Sequence, residues 1–271
     1  YLFLRPDLIL TPNGFKICEL ETSPFGLALA EILNTGYNDC NYDTVIPKGS
    51  LKDFITSVTP PNGTIAYSNR VKAFQGQLNF LAQQIFSDEH RNWNCCIVNE
   101  EFHPTENIYR AFYSSDYITE KSIKTLIHNS PVLIPTLTPQ FEEKAILSFI
   151  WDIRFLDYFK KELGMAEYHY LRKLIPPSWI LGEETSFELG MPSGISNSLE
   201  LANLSKGKRK FVLKKSGDSS WGEGITFLHK LSHEKASERL ETAQNIDSLY
   251  ILQEFYEGKK VDILLVKRFL I

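Results

Sequence analysis

The feature that most restricts the fold lies between residues 64 and 98, where a strand, a helix and a second strand follow one another. Thr64 to Tyr67 is a short apolar run rich in β-forming residues. Gln75 to Phe86 places Leu78, Leu81, Ala82, Ile85 and Phe86 at helical spacing, and Trp93 to Val98 is apolar again. Two strands joined through a helix run parallel, and a parallel sheet needs helices over its faces. The pattern continues with Ile108 to Tyr113 as strand, Glu120 to His128 as helix and Val132 to Leu137 as strand.

The flanking segments read differently. Asp7 to Leu10, the turn signal Thr11-Pro12-Asn13-Gly14 and Phe15 to Glu21 predict a hairpin. Ser23 is placed to cap a helix with Pro24 in its first turn. That helix carries Leu27, Ala28, Ala30, Ile32 and Leu33 and ends before Gly36. Residues 37–63, with Pro47, Gly49, Pro60, Pro61 and Gly63, read as a loop-rich linker holding one short helix near Leu51 to Ser57. Glu142 to Leu163 predicts one long amphipathic helix ending at Gly164. Strands are expected at Ser178 to Leu181, Phe211 to Lys215, Ile225 to Leu228, Tyr250 to Phe255 and Val261 to Phe269, with a polar helix from His233 to Ala243. The expected class is α/β with an α+β part.

Composition removes several classes. Hydrophobic residues at 43% and charged residues at 23% describe a globular chain, not a disordered one. The net charge of −4 argues against a dedicated nucleic-acid binder. The most apolar stretch, Ala145 to Phe155, is broken by Asp152 and Arg154, so no membrane span is expected. Cys18, Cys40, Cys95 and Cys96 form no C-x-x-C pair. Adjacent Cys95 and Cys96 in an apolar run fit reduced thiols and a cytoplasmic location. His229 and His233 are four apart, but Lys230 follows where a zinc-protease helix has Glu, so they read as surface histidines. The chain opens at Tyr1 and stops inside a strand pattern at Ile271, which predicts a longer natural chain.

Four stretches could carry chemistry. Glu19 and Glu21 lie two apart on a strand and share a face with Ile17. With a loop of Pro12, Asn13 and Gly14, Asp7 comes opposite Glu19. Three carboxylates then converge on a surface suited to Mg²⁺, or else form a solvated acidic face. Lys214 or Lys215 ends a strand before the glycine- and serine-rich run Ser216 to Gly224, whose backbone could cradle phosphate. The alternative is a hairpin tip in a basic surface stretch with Lys206, Lys208, Arg209 and Lys210. Tyr250 to Gly258 is a strand leading into aromatic residues, where adenine could stack on Phe255. Lys173 ends a helix before Pro176, Pro177 and a short strand.

Taken together, these segments resemble the ATP-grasp ligases in a circularly permuted order, like the branch that includes glutathionylspermidine synthase-like proteins. Arg5-Pro6-Asp7 and Glu19-Leu20-Glu21 come first. Lys173, Lys214, Ser219-Ser220-Trp221-Gly222 and Gln253-Glu254-Phe255 follow, while Tyr109-Arg110-Ala111-Phe112 and Glu143-Lys144-Ala145-Ile146 match more loosely. The resemblance implies that Asp7, Glu19 and Glu21 hold Mg²⁺ on the phosphates of ATP and that Arg5 steadies the charge of the acyl intermediate. It implies phosphate contacts from Lys173 and Lys214, a lid including Ser219, Ser220, Gly222 and Gly224, and an adenine hinge of Gln253, Glu254, Phe255 and Tyr256. The family usually has Asn where this chain has Glu21, and its ribose carboxylate falls at the position of Lys260. Strand alternation lets only one of Lys214 and Lys215 serve, and the family pattern favours Lys214.

The expected organisation follows. Residues 1–36 form an ATP-grasp core hairpin and helix, 37–170 a βαβ-type pre-ATP-grasp domain with the long helix, 171–258 a lid subdomain, and 259–271 a return to the core. The expected activity is ATP- and Mg²⁺-dependent coupling of a small-molecule or peptide carboxylate to an amine or thiol, with neither nucleic acid nor membrane as partner. The alternatives are a nucleotide-binding module that scaffolds a partner protein, and an RNA binder centred on Lys206 to Lys215.

Overall fold

The computed structural model describes residues 4–22, 26–42, 44, 46–103, 107–129, 132–182, 189–192, 194–217, 224–245 and 249–259. The chain divides into two compact units, Tyr1–Arg5 with Glu21–Glu142, and Pro6–Leu20 with Glu143–Ile271. It is mixed α/β, with one parallel and two antiparallel sheets.

The chain opens with a two-stranded hairpin, β1 (Arg5–Thr11) and β2 (Gly14–Glu21). Only Pro12 and Asn13 separate the strands, and Gly14 takes φ +107°, a conformation that suits glycine in a tight turn. This turn is one residue shorter than the expected loop. It brings Cys18 opposite Asp7, and the Cys18 thiol donates to the Asp7 carbonyl at 3.2 Å. A one-residue slip exchanges the faces of a strand. Glu19 therefore lies on the other face from Asp7, and the expected three-carboxylate face does not form.

The first unit is a parallel sheet covered on both sides. After α1 (Leu27–Asp39) and α2 (Ser50–Val58) come β3 (Asn62–Tyr67), α3 (Gln75–Phe80), β4 (Asn92–Ile97), β5 (Asn107–Ala111), α4 (Asp116–Thr119), α5 (Lys121–Asn129) and β6 (Val132–Ile134). The strands lie in the order β4-β3-β5-β6, all parallel. Ile65, Tyr67 and Tyr109 pack with Ala28 of α1, Ile55 of α2 and the run Leu78 to Phe86. Ala66 and Ile108 point to the other side, against Ile123 and Leu126 of α5. The strand–helix–strand reading therefore holds. Its helix starts earlier, with a 3₁₀ turn over Asn69–Phe74, and finishes with π-helical turns over Leu81–Phe86. Helix α1 runs through Gly36 to Asp39. Gly36 is exposed with open space around it, and one glycine lowers helix stability by only about 1 kcal/mol. The expected cap at Ser23 and Pro24 lies outside the described residues.

The second unit contains α6 (Leu156–Leu163), α7 (Met165–Leu174), β7 (Ser178–Leu181), β8 (Phe211–Lys215), β9 (Ile225–Phe227), α8 (His233–Asn245) and β10 (Tyr250–Glu254). The single helix expected over Glu142 to Leu163 is instead two 3₁₀ segments, Lys144–Trp151 and Ile153–Phe155, followed by α6. Asp152 causes the break. Its backbone is extended, its carboxylate accepts the Arg154 N–H at 2.9 Å, and it pairs with the Arg154 guanidinium at 2.6 Å. An aspartate that caps the next segment cannot continue the previous one. The freed segment buries Leu147, Ile150 and Trp151 with Tyr168, Ile175 and the hairpin residues Ile17 and Leu20.

Strands β7-β10-β8-β9 form an antiparallel sheet. One face, with Trp179, Leu181, Phe211, Leu213 and Leu252, packs on Ala236, Leu240 and Ala243 of α8. The register puts Ser178, Ile180, Val212, Lys214, Ile225, Phe227, Ile251 and Gln253 on the opposite face. The strand expected at Val261 to Phe269 lies outside the described residues. Among the described residues no helix is long and apolar enough to cross a membrane.

Candidate functional site

Lys214 projects from the sheet face turned away from α8. Strand alternation places Lys215 on the other face, where its Cβ would lie 2.7 Å from a Cβ added at Gly224. Lys214 is buried at 8% exposure, and its Nζ donates to the Cys18 carbonyl on β2 at 3.0 Å. Lys214 also interacts with the charges of Glu19 and Asp7. Burial lowers the Lys214 pKa, opposed by the negative charge of these neighbours.

Two neighbours strengthen this cluster. Lys144 heads the buried 3₁₀ segment and pairs with Glu19 at 3.3 Å. Glu143 accepts a 2.6 Å hydrogen bond from Ser216, the residue at which β8 enters the glycine-rich loop. The loop is closed at its base by the Lys215 N–H donating to the Gly224 carbonyl at 3.1 Å. Gly224, at φ +72°, leaves the room that closure needs. Ser219, Ser220, Trp221 and Gly222 lie outside the described residues.

The hinge stretch is held from both sides. Gln253 is buried and donates to the Ser178 hydroxyl at 3.0 Å. The Glu254 N–H donates to the Pro177 carbonyl at 2.8 Å, and the Phe255 N–H to that of Lys210 at 2.9 Å. His229 is not a plain surface residue: its ring lies 4.6 Å from Phe255 and 6.0 Å from Phe227. Burial, with Lys230 and Lys210 nearby, lowers the His229 pKa. The Tyr256 hydroxyl donates to Glu254 at 3.0 Å, and burial with that carboxylate raises its pKa to about 12. Lys16 stands 4.7 Å over the Tyr256 ring and donates to the main-chain carbonyl of Lys173. The exposed Lys173 is thus tied to the hinge through Lys16.

The structure therefore gathers Asp7, Glu19, Lys214, Lys173 and Gln253 to Tyr256 in the second unit. Arg5 and Glu21 belong to the first unit. Among the described residues no group of three or more His, Cys, Asp or Glu is placed to hold a metal ion. The three-carboxylate magnesium nest does not fit this arrangement. Asp7 or Glu19, taken singly, fits the narrower case of an ion that keeps mostly phosphate and water ligands and takes one carboxylate.

Sequence reasoning did not assign roles to Lys16, Lys144, Glu143 or His229. The loose family match at Glu143-Lys144-Ala145-Ile146 was the available signal for Glu143 and Lys144. The basic surface stretch also reads differently. Arg209 is buried and donates to the carbonyls of Leu228, Ala202 and Leu231 at 3.0, 2.7 and 2.7 Å. Arg209 and Lys214 are thus inside, while Lys206, Lys208 and Lys210 are exposed.

No family model matches the chain, and no curated protein matches it at a significant level.

Proposed function

We propose that this chain is an ATP- and Mg²⁺-dependent ligase of the circularly permuted ATP-grasp type. It activates a small-molecule or peptide carboxylate and joins it to an amine or thiol, in the cytoplasm. The observation that carries the reading is Lys214, buried on a sheet face, anchored to the hairpin at Cys18 and interacting with the charges of Glu19 and Asp7.

The chemistry asks little of a covalent nucleophile and much of charge alignment. A substrate carboxylate oxygen attacks the γ-phosphorus, and ADP leaves. The amine then attacks the acyl carbon, and inorganic phosphate leaves. In this scheme Lys214 and Lys144 meet the phosphate charge, the Gln253 to Tyr256 segment holds the adenine end beside Phe255 and His229, and the loop after Ser216 excludes water. Mg²⁺ bound with the nucleotide, held by Asp7 or Glu19, would supply charge neutralisation.

ADP release measured over pools of amino acids and polyamines tests this. At least one of Asp7→Ala and Glu19→Ala should abolish release while circular dichroism and thermal melting stay near wild type. Full activity in both variants removes the assignment. A nucleotide-bound ion held by Asp7 or Glu19 also suits the second reading, a nucleotide-binding module that scaffolds a partner. Binding of a non-hydrolysable ATP analogue with no ADP release from any pool would favour it.

A further inference from the structure

One ammonium in the second unit joins segments of the chain that the ligase reading uses separately. Lys16, on β2, donates its Nζ to the main-chain carbonyl of Lys173 and stands 4.7 Å from the Tyr256 ring centroid. Lys173 is the penultimate residue of α7, and the last carbonyls of a helix have no partner within it. A cation suits that end of the helix dipole, and it suits the face of an aromatic ring as well.

The contacts around this junction fix its partners. The Tyr256 ring is held by its hydroxyl, which donates to Glu254 at 3.0 Å, and the Glu254 charge also acts on Lys16. The Glu254 N–H donates to the Pro177 carbonyl at 2.8 Å, and Gln253 pairs with Ser178 across β10 and β7. Only Leu174, Ile175 and Pro176 separate Lys173 from Pro177. Both ends of this short link are thus bound to the hinge, one through a main-chain hydrogen bond and the other through Lys16. Pro176 and Pro177 restrict the backbone of the link. Lys16 itself sits on the hairpin that carries Asp7 and Glu19. That hairpin meets the chain beyond the hinge again where the Lys259 N–H donates to the Leu10 carbonyl at 2.6 Å. Burial lowers the Lys16 pKa, as expected of an ammonium taken partly out of water to meet fixed partners.

We propose that Lys16 is a positioning residue of the nucleotide site: its ammonium sets the spacing between the adenine hinge and Lys173 without touching the nucleotide. This rests on the ligase reading, in which the hinge takes the base beside Phe255 and Lys173 meets a phosphate. A nucleotide spans both, so its affinity depends on their spacing. The long Lys173 side chain loses rotamer freedom when it engages a ligand. Fixing its main chain beforehand lowers what binding costs.

Isothermal titration of the intact chain with a non-hydrolysable ATP analogue and Mg²⁺ tests the proposal, with circular dichroism and thermal melting as the check on folding. Lys16→Met keeps the apolar stem and removes the charge. It should weaken binding of the analogue by about tenfold while folding stays near wild type. Lys16→Arg should stay within about threefold of wild type, because a guanidinium also stacks on a ring and donates to a carbonyl. Lys16→Gln removes the charge but stays polar, and keeps the test readable if Lys16→Met does not fold. Because Lys16 acts in part through Tyr256, the double variant Lys16→Met/Tyr256→Leu should lose clearly less than the product of the two single losses. Unchanged affinity in the neutral variants, equal losses in Lys16→Arg and Lys16→Met, or independent losses in the double variant overturns the proposal. A wild-type chain that does not bind the analogue overturns the ligase reading, and the role of Lys16 with it. Wild-type binding without the expected pattern in the variants overturns the role of Lys16 alone.

Discussion

The ammonium of Lys214 hydrogen-bonds the main-chain carbonyl of Cys18 at 3.0 Å, although the two residues are 196 positions apart. This contact ties the antiparallel sheet to the opening hairpin and fixes which of two adjacent lysines faces the acidic residues. It also buries a cation, and burial of a cation carries a measurable signature.

Lys214→Met should weaken binding of a non-hydrolysable ATP analogue by at least about tenfold, the scale of one charge-assisted phosphate contact. It should also change the pH dependence of stability. The folded Lys214 pKa lies below 10.5 because of burial. Between that value and 10.5 the unfolded chain holds a proton that the folded chain has released, so unfolding free energy rises with pH in this window. The variant lacks this gain. The stability of wild type minus variant should therefore grow as the pH is raised toward 10.5, read by urea melts. A flat or shrinking difference counts against the buried cation.

In the first unit, Arg110 is completely buried and pairs with Glu142 at 2.6 Å. The second Glu142 oxygen accepts the Ser114 N–H at 2.7 Å and its hydroxyl at 2.6 Å. Glu142→Leu removes a 2.6 Å ion pair from a completely buried guanidinium and should cost about 3–5 kcal/mol. The double variant Arg110→Met/Glu142→Leu should lose clearly less than the sum of the single changes. Denaturant titration of the three variants checks this, and additive losses would show that the pair is not coupled.

Arg209 joins three carbonyls through one planar group. Arg209→Met should destabilise the second unit by about 3 kcal/mol, because each carbonyl loses a buried donor. Arg209→Lys should recover only part of this, since a single ammonium does not span three separate acceptors. Filter binding should detect no tight RNA association in either variant or in wild type. Salt-dependent RNA affinity that disappears with Arg209 would revive the RNA reading.

The four thiols are free but unequal. Cys40 is exposed, whereas burial beside Cys96 raises the Cys95 pKa to about 12. Thiolate is the reactive form. Iodoacetamide at about pH 8.5 should therefore modify Cys40 fully while Cys95 stays almost unlabelled, as read by peptide mass mapping. Comparable labelling of both would contradict the burial of Cys95.

Much of the secondary structure was legible because it rests on local periodicity. The run Leu78 to Phe86 and strands β3 and β4 announced a parallel unit, and β7, β8, α8 and β10 appeared close to where expected. The failures have local physical causes as well. Periodicity over Glu142 to Leu163 read as one helix, but the Asp152 carboxylate binds the Arg154 N–H and divides it. The hairpin loop lost one residue, and that slip separated Asp7 from Glu19 and dissolved the expected three-carboxylate face. Glu143 and Lys144 were visible as charges. Their partners Ser216 and Glu19 were not, because each pair links distant parts of the chain.

By itself the sequence established which segments alternate and which repeat at helical spacing. It also established that Lys214 and Lys215 must face opposite ways. Those are properties of neighbouring residues, set by backbone geometry alone. Tertiary structure decided that Lys214 is the one that meets the hairpin, that β3 and β5 lie side by side, and that Arg209 is interior. Such pairings depend on turn closure and on which faces bury together, so they exist only once the chain is packed.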